Sequence, residues 1–239
     1  MAMYTYKVDE NVAVLTMNNG ENRFNFDSLR AFGAVLDEIE QQTEVNALVV
    51  TSAHEKIWCN GIDLDWLLPA VQKEGEGLMD RFRVEMFGLF RRLVTFPMPT
   101  VAALNGHAFA GGAFLSFAHD FRFMRNDRGW ICLPEVDLGI PLGQVFLAFS
   151  RRVLPMHLLE EMEYTARRLT ADECLAFHII RKACALEHLL EEAVGFAKSL
   201  NKKREIIHKM KLETNQPIVR VIDETINALT AKTHIPDGL

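Results

Sequence analysis

Two glycine-containing loops and one glutamate are the residues whose types and spacing could do chemistry in this sequence. Gly111 and Gly112 stand where a helix is predicted to begin, in "NGHAFAGGAFLSFAHD". The pair has three interpretations: close packing of a helix on a strand, phosphate binding at a helix N-terminus, or stabilisation of a developing oxyanion by free N–H groups. The phosphate interpretation is the weakest, because neither G-x-x-x-x-G-K-[ST] nor G-x-G-x-x-G after a strand is present.

An oxyanion hole usually needs two donors, and a second loop could supply the other. "CNGIDL" carries Asn60 and Gly61, follows the apolar strand "NALVVTS" and enters a predicted helix near Asp63. Free N–H groups in the first turn of a helix carry partial positive charge. The sequence therefore predicts two strand–loop–helix units that place two backbone N–H groups facing each other.

Glu135 is the candidate base. Its neighbours in "WICLPEVDLGIPLG" are mostly apolar. A carboxylate there would be partly desolvated, which raises its pKa and strengthens it as a base. The alternative is a surface or capping residue, because most glutamates are exposed.

The elements that must position these residues alternate between strands and helices. Two strands with a turn are predicted in "YTYKVDENVAVLTMN", and helical spacing predicts a helix in "DSLRAFGAVLDEIEQQ" with Asp27 or Ser28 as N-cap. A long helix is expected from about Glu76 to Thr95, followed by the strand "TVAALN". "FRFMRN" and "WICLPE" are predicted as short strands around the turn "DRG".

After Pro141 the pattern is helical. "LGQVFLAFSRRVL", "EHLLEEAVGFAKSL", "KREIIHKMKLE" and "PIVRVIDETINAL" have helical spacing. Thr170 and Glu173 form a capping-box pattern in "TADECLAFHIIRKA". Strands with intervening helices, then a helical tail, predict an α/β fold with a C-terminal helical region.

Composition places the chain among globular proteins. The chain has 239 residues, 49% of them hydrophobic, and a net charge of −6, which argues against general nucleic-acid binding. Four cysteines without a C-x-x-C pair are typical of a reducing compartment. Neither a signal-peptide pattern nor a run of about 20 uncharged apolar residues is present, so we expect a cytoplasmic protein without a membrane segment.

Four segments, taken in order, resemble the crotonase superfamily, which is also called the enoyl-CoA hydratase/isomerase family. They are "WCNGIDL", "FPMPTVAALNGHAFAGGAFLSFAHDFRF", "LPEVDLGIPLG" and "LTADECLAFHIIRKA", although the usual Gly-Leu-Val of the last one is replaced by His178-Ile179-Ile180. The resemblance covers roughly residues 8 to 185. It implies a spiral of repeated ββα units with C-terminal helices, an acyl-CoA thioester as substrate without a further cofactor or metal, and a homotrimer or hexamer. On this basis we expect a core domain over 1–195 and a C-terminal helical region over 196–239 for oligomerisation or covering of the active site.

The resemblance also implies roles for individual residues. The backbone N–H groups of Ile62 and Gly111 are the expected donors to a thioester enolate, and Glu135 is the expected catalytic carboxylate. The residues expected to contact substrate are Arg23, Phe24, Asn60, Gly61, Gly112 and Phe114.

Phe114 marks a departure from the family's hydratases. Hydratases carry a second glutamate six residues before the aspartate of a "CD" pair, and counting back from Asp120 reaches Phe114. Two carboxylates suit the addition of water, whereas moving a double bond from C3–C4 to C2–C3 needs one base and benefits from a dry site. "AHDFRFMRNDRGWICLPEVDLGIPL" is also very similar to the family's Δ3,Δ2-enoyl-CoA isomerases.

We therefore expect an isomerase that converts 3-enoyl-CoA to trans-2-enoyl-CoA. A hydratase, a thioesterase or another acyl-CoA-transforming member is the first alternative. A non-catalytic acyl-CoA-binding module is the second, and the intact loops and Glu135 argue against it.

Several further residues have structural explanations beside functional ones. Asp63 is expected to cap a helix and Asp137 to lie in a solvated loop. His107, His119 and Asp120 fit no metal-ligand spacing, and His119 is expected to be structural.

Two lysines and a set of apolar residues have open interpretations. Lys209 and Lys211 could hold CoA phosphates or belong to a solvated helix face. Five residues could line an acyl tunnel, although their spacing is more often that of a core: Trp58, Trp66, Phe82, Met86 and Phe90.

Overall fold

The computed structural model describes residues 2–233, which form two β-sheets surrounded by helices. In chain order the strands are β1 (Tyr4–Asp9), β2 (Val12–Met17), β3 (Ala47–Ser52), β4 (Ile57–Cys59), β5 (Thr100–Leu104), β6 (His107–Phe109), β7 (Phe121–Arg125), β8 (Ile131–Cys132), β9 (Arg168–Leu169) and β10 (Lys182–Cys184). The helices are α1 (Phe26–Gln41), α2 (Leu64–Glu74), α3 (Glu76–Val94), α4 (Gly111–Ala118), α5 (Gly143–Val153), α6 (Met156–Thr165), α7 (Ala171–Ala176), α8 (Leu186–Ser199), α9 (Arg204–Thr214) and α10 (Gln216–Thr233).

From β3 to β8 the chain alternates between the two sheets. The larger sheet has the order β1-β2-β3-β5-β7-β10 and is parallel apart from the β1–β2 hairpin. The smaller sheet has the order β4-β6-β8-β9 and is parallel apart from β8–β9. Each unit therefore contributes one strand to each sheet and then a helix: β3–β4–α2, β5–β6–α4 and β7–β8–α5. This arrangement confirms the predicted spiral of ββα units with C-terminal helices.

The central strands are buried on both faces, as their continuous apolar sequences predict. Successive side chains of a strand point to opposite faces. In β3, Ala47 and Val49 pack in the cluster that includes Leu189 of α8, while Leu48 and Val50 pack in the main core. This double burial holds the carboxyl ends of neighbouring strands in place, and the loops that follow them start from a rigid base.

The helix N-termini agree with the sequence at two positions and differ at one. Asp63 caps α2 by accepting from the Trp66 amide, and Thr170 forms a capping box with Glu173, as predicted. The prediction for α1 was wrong, because Asn25 is its N-cap and Ser28 is the third helical residue. The reason is reciprocal bonding: the Asn25 side chain accepts from the Ser28 amide, and the Ser28 hydroxyl accepts from the Asn25 amide, both at 2.9 Å.

The C-terminal helices pack back onto the rest of the chain. α10 lies against α3 and α5. Lys211 of α9 is buried, and its Nζ donates to Asp120 Oδ2 at 2.7 Å. The suggestion that Lys211 holds a CoA phosphate was therefore wrong, because its charge is already paired inside the protein, whereas Lys209 is exposed. The division at residue 195 stays a prediction, and residues 234–239 of the C-terminal region lie outside the described residues.

Replacing Lys211 with methionine is expected to lower the free energy of unfolding by about 3 kcal/mol at pH 7, because it leaves the buried Asp120 with less compensation. Burial opposes the charge of Asp120, but Lys211 and Arg152 hold its pKa below the ordinary value. A lowered carboxyl pKa stabilises the folded state at neutral pH, and that stabilisation is lost as pH falls through the folded-state pKa. Urea unfolding at pH 7 should show the loss, and the difference from wild type should shrink in acid. Lys209→Met on the same helix is the matched control, and an equal loss there would contradict the assignment.

Candidate active site

The two glycine loops meet at one edge of the smaller sheet. β4 and β6 are parallel neighbours, so their carboxyl ends lie side by side. A Cβ built on Gly61 would lie 2.7 Å from the Gly111 amide nitrogen, and one built on Gly111 would lie 3.1 Å from Gly61 Cα. The tertiary structure thus brings together the two segments that the sequence separates by fifty residues.

The amides of Ile62 and Gly111 are available as donors. Gly111 is the first residue of α4, where helix geometry provides no acceptor. Phe24 donates to Gly61 O at 2.7 Å and Asp63 donates to Phe24 O at 2.9 Å, so the loop is held on both sides of Ile62. Within residues 2–233, no atom accepts from either amide. Two unpaired backbone donors on contacting loops are the elements of an oxyanion hole.

The glycines of the two loops have different structural roles. A Cβ on Gly112 would lie 2.0 Å from Cys59 O, so this position is glycine because α4 packs directly on β4. Gly61 has φ +74°, which favours glycine. Ala110, the N-cap of α4, has φ +49°, a strained value for a residue with a side chain. Close packing at Gly112 and unpaired amides at Ile62 and Gly111 are therefore both present.

The loop around Asn60 is held by residues that no motif in the sequence marks. The Asn60 amide donates to Glu21 O at 3.1 Å, and its side chain donates to Glu21 Oε2 at 3.0 Å. Asn22 is fully buried and donates to Ser52 Oγ at 2.8 Å and to Trp58 O at 2.9 Å. No local sequence pattern indicates these contacts, because they join segments thirty or more residues apart.

Arg23 and Phe24 lie beside the Asn60 loop, the first in ion pairs and the second buried in the core. Arg23 pairs with Glu21 at 2.6 Å and with Asp65 at 2.7 Å. Its charge is therefore already neutralised, and an added phosphate would compete with two carboxylates. Phe24 is buried, and its ring lies against Gly111, 3.3 Å from where a Cβ would stand.

Glu135 occupies a turn after β8. Its carbonyl accepts from the amides of Leu138 at 3.1 Å and Ile140 at 3.0 Å, which fixes the backbone of the turn. The side chain is half-buried, and its Oε2 is buried with no hydrogen-bond partner in the described residues. Burial raises the pKa of Glu135 to about 7. A carboxyl group with that pKa can both accept and return a proton near neutral pH.

A cavity of about 240 Å³ opens beside Glu135, with walls that are mainly apolar. The residues that line it are Leu133, Glu135, Val136, Gly139, Ile140, Pro141, Leu142, Glu163 and Tyr164. The two glycine loops are not part of this wall.

Phe114 is not part of this wall either. It is fully buried in α4, and its ring stacks on Phe146 with centroids 4.2 Å apart. The position that would carry the second hydratase carboxylate is thus filled by an aromatic ring in the core.

The other residues considered in the sequence analysis are explained by burial in the core or by exposure to solvent. His119 is fully buried, its Nδ1 lies 2.8 Å from Leu115 O, and burial lowers its pKa to about 4. Asp137 is exposed. Trp66 packs partly buried against Phe82. The other proposed tunnel residues are fully or almost fully buried in the core: Trp58, Phe82, Met86 and Phe90.

Neither a metal-binding cluster nor a membrane-spanning helix is found in the described part of the chain. Over residues 2–233, no three His, Cys, Asp or Glu residues are grouped so that they could hold a metal ion. In that same range, no helix combines the length and apolar character that crossing a membrane requires.

The fold of ββα units with C-terminal helices is that of the crotonase superfamily. The chain belongs to this group, the enoyl-CoA hydratase/isomerase family, because the sequence model of that family matches residues 7–233. The match spans both glycine loops and Glu135.

Similar proteins agree with this assignment. Enoyl-CoA delta isomerase 3 of Arabidopsis thaliana is 31% identical over 219 residues, which cover 87% of this chain and 90% of that protein. The peroxisomal enoyl-CoA delta isomerase 2 of the same plant is 32% identical over 76% of this chain and 77% of its own. A solved structure of an enoyl-CoA isomerase from Mycobacterium tuberculosis has a TM-score of 0.86 at 24% identity and covers 97% of this chain and 99% of that one, which shows the shared fold.

Proposed function

We propose that this protein is a Δ3,Δ2-enoyl-CoA isomerase in which Glu135 moves the proton. One observation carries the proposal: of the two positions at which the family's hydratases carry carboxylates, one holds Glu135 with a raised pKa and the other holds the buried ring of Phe114. A single carboxylate is sufficient for a 1,3-proton shift. The two plant relatives that are named as isomerases support the same reaction.

The proposed reaction starts with the thioester oxygen of 3-enoyl-CoA at the amides of Ile62 and Gly111. The Glu135 carboxylate removes a proton from C2, and the electron pair of that C–H bond forms a dienolate whose negative charge lies on the thioester oxygen. The Glu135 carboxylic acid then delivers a proton to C4, and the C2–C3 double bond forms. The enzyme returns to its initial state, and substrate and product have the same mass.

The other expected contacts have different physical bases. Asn60, Gly61 and Gly112 would shape the hole, because their positions set the spacing between the two loops. The Phe24 ring would pack against Gly111 and hold this side of the oxyanion hole in place. Arg23 would hold a CoA phosphate only by loosening its pairing with Glu21 and Asp65. A homotrimer or hexamer and a cytoplasmic location stay predictions.

Incubation of the purified protein with a 3-enoyl-CoA is expected to give a product of unchanged mass that co-elutes with trans-2-enoyl-CoA. Liquid chromatography with mass detection separates the possible outcomes. A product heavier by one water would show hydration and would remove Phe114 as the discriminating residue. Free CoA would show hydrolysis. No reaction across several chain lengths would contradict the isomerase proposal and favour a binding role.

A further inference from the structure

A second carboxylate shares the cavity of Glu135. Glu163, near the C-terminal end of α6, lines that cavity together with Tyr164, while most of the remaining wall is apolar. Glu163 lies 28 positions after Glu135 in the sequence and on a different element, so only the fold brings the two residues to one cavity.

Glu163 is half-buried and has no ion-pair or hydrogen-bond partner among residues 2–233. Its neighbour on α6, Glu161, pairs with Arg167, which also pairs with Glu173. A carboxylate without a protein partner keeps its oxygens free to accept hydrogen bonds from water. The Glu163 carboxylate can therefore accept a hydrogen bond from a water molecule or from the protonated Glu135 carboxyl group.

The cavity is large enough to hold several water molecules. The buried Oε2 of Glu135 has no partner in the described residues, and a water between the two carboxyl groups would satisfy it. Such a water would connect Glu135 to a second carboxyl group in the same cavity. Phe114 cannot provide this connection, because its ring has no exchangeable proton.

We infer that Glu163 is a positioning residue that relays protons between Glu135 and solvent. The inference rests on the proposed isomerase function. After Glu135 has taken the C2 proton, the acid has two routes. It can return the same proton to C4, or it can pass it through a water to the Glu163 carboxylate, which releases it to solvent. The reverse path delivers a solvent proton to Glu135, so the net charge and the product mass in ordinary water are unchanged.

Isomerisation in D₂O measures how the acid divides between these routes. We expect the wild-type product at low conversion to contain solvent deuterium at C4, detected by mass spectrometry. In Glu163→Gln the deuterium content per product should fall about fivefold or more, because the amide does not exchange protons with Glu135 in this way, while turnover slows by less than about tenfold. Glu163→Asp should restore much of the deuterium content, since a carboxyl group is again present.

Glu160→Gln is the matched control, because Glu160 lies on the same helix but is exposed and outside the cavity. Its product should carry the wild-type amount of deuterium. Unchanged deuterium in Glu163→Gln, or no deuterium in the wild-type product, would overturn the relay while leaving the isomerase intact. Absence of isomerisation by the wild type would instead contradict the proposed function itself, so the two failures are distinguishable.

Discussion

Replacing Glu135 with glutamine is expected to lower kcat for isomerisation by about 10²–10⁴-fold, the range that a positioned general base contributes. The amide keeps the size of the side chain but cannot take the proton from C2. Binding of a non-reactive acyl-CoA should be retained, because the amides of Ile62 and Gly111 are untouched. Steady-state kinetics with 3-enoyl-CoA and calorimetric titration with saturated acyl-CoA measure the two effects separately.

The matched control for this variant is Asp137→Asn. Asp137 lies two residues further along the same loop and is exposed, so its amide variant should keep activity within about threefold of wild type, as expected for surface positions. If Glu135→Gln kept wild-type turnover, Glu135 could not be the base. A binding module would instead show no turnover in wild type and equal acyl-CoA affinity in both proteins.

The raised pKa of Glu135 is expected to make the isomerase activity depend on pH. The base must be ionised in the free enzyme, and burial raises the pKa of Glu135 to about 7. We therefore expect kcat/KM to rise with pH and to level off above pH 7. A profile that levels off near pH 4.5, the ordinary value of a glutamate, would show that the reacting carboxyl group is a solvated one.

Glu135→Gln is also expected to be more stable than wild type at pH 8, by about 1–2 kcal/mol. A difference of one between the folded and unfolded pKa corresponds to about 1.4 kcal/mol, and the full difference is discounted because the side chain is only half-buried. The folded-state pKa of about 7 exceeds the ordinary value of 4.5, so the folded chain holds this proton more tightly than the unfolded chain. Its stabilising contribution is complete below pH 4.5 and is lost as pH rises to 7. Thermal unfolding should show almost no difference at pH 4 and the full difference at pH 8.

Gly112→Ala is expected to reduce both stability and turnover. The new Cβ would lie 2.0 Å from Cys59 O and 2.7 Å from Cys59 C, and these are backbone atoms that no side-chain rotation can move. α4 must therefore shift away from β4, which costs about 1–3 kcal/mol or more. The shift would move the Gly111 amide away from the Ile62 amide, the second proposed donor to the thioester oxygen. Losing one oxyanion donor lowers kcat by about 10²–10³-fold. Urea unfolding and steady-state kinetics measure the two losses.

Gly33→Ala is the control for the effect of adding a methyl group. Gly33 lies within α1, and no atom lies within 4 Å of the position that its Cβ would take. Alanine should stabilise the helix there by about 0.5–1 kcal/mol without changing turnover. If Gly112→Ala behaved like Gly33→Ala, the close approach of α4 to β4 would not be required for activity.

The long elements and the glycine loops could be predicted from the sequence because their signals are local. Continuous apolar strands, helical spacing and the caps at Asp63 and Thr170 depend on residues within a few positions. The segment "CNGIDL" could likewise be identified as a loop, and Glu135 as a carboxylate among apolar neighbours. The strand predicted over "WICLPE" was too long, because β8 ends at Cys132 and Glu135 lies in the turn that follows. The sequence missed β4, β6, β9 and β10, because strands of two or three residues seldom show alternation; among these short strands β8 alone was predicted. It also missed α6, and Glu163 with it.

The sequence by itself thus determined the order of the elements, the fold class and the identity of one candidate base, since these depend on neighbouring residues. Only the tertiary structure decided the rest. It placed the Gly61 and Gly111 loops in contact, removed Lys211 from the surface by pairing it with Asp120, and brought Glu163 to the cavity of Glu135. The physical reason is the same in each case: these contacts join residues from different elements, and their energy depends on how sheets and helices pack rather than on any local preference.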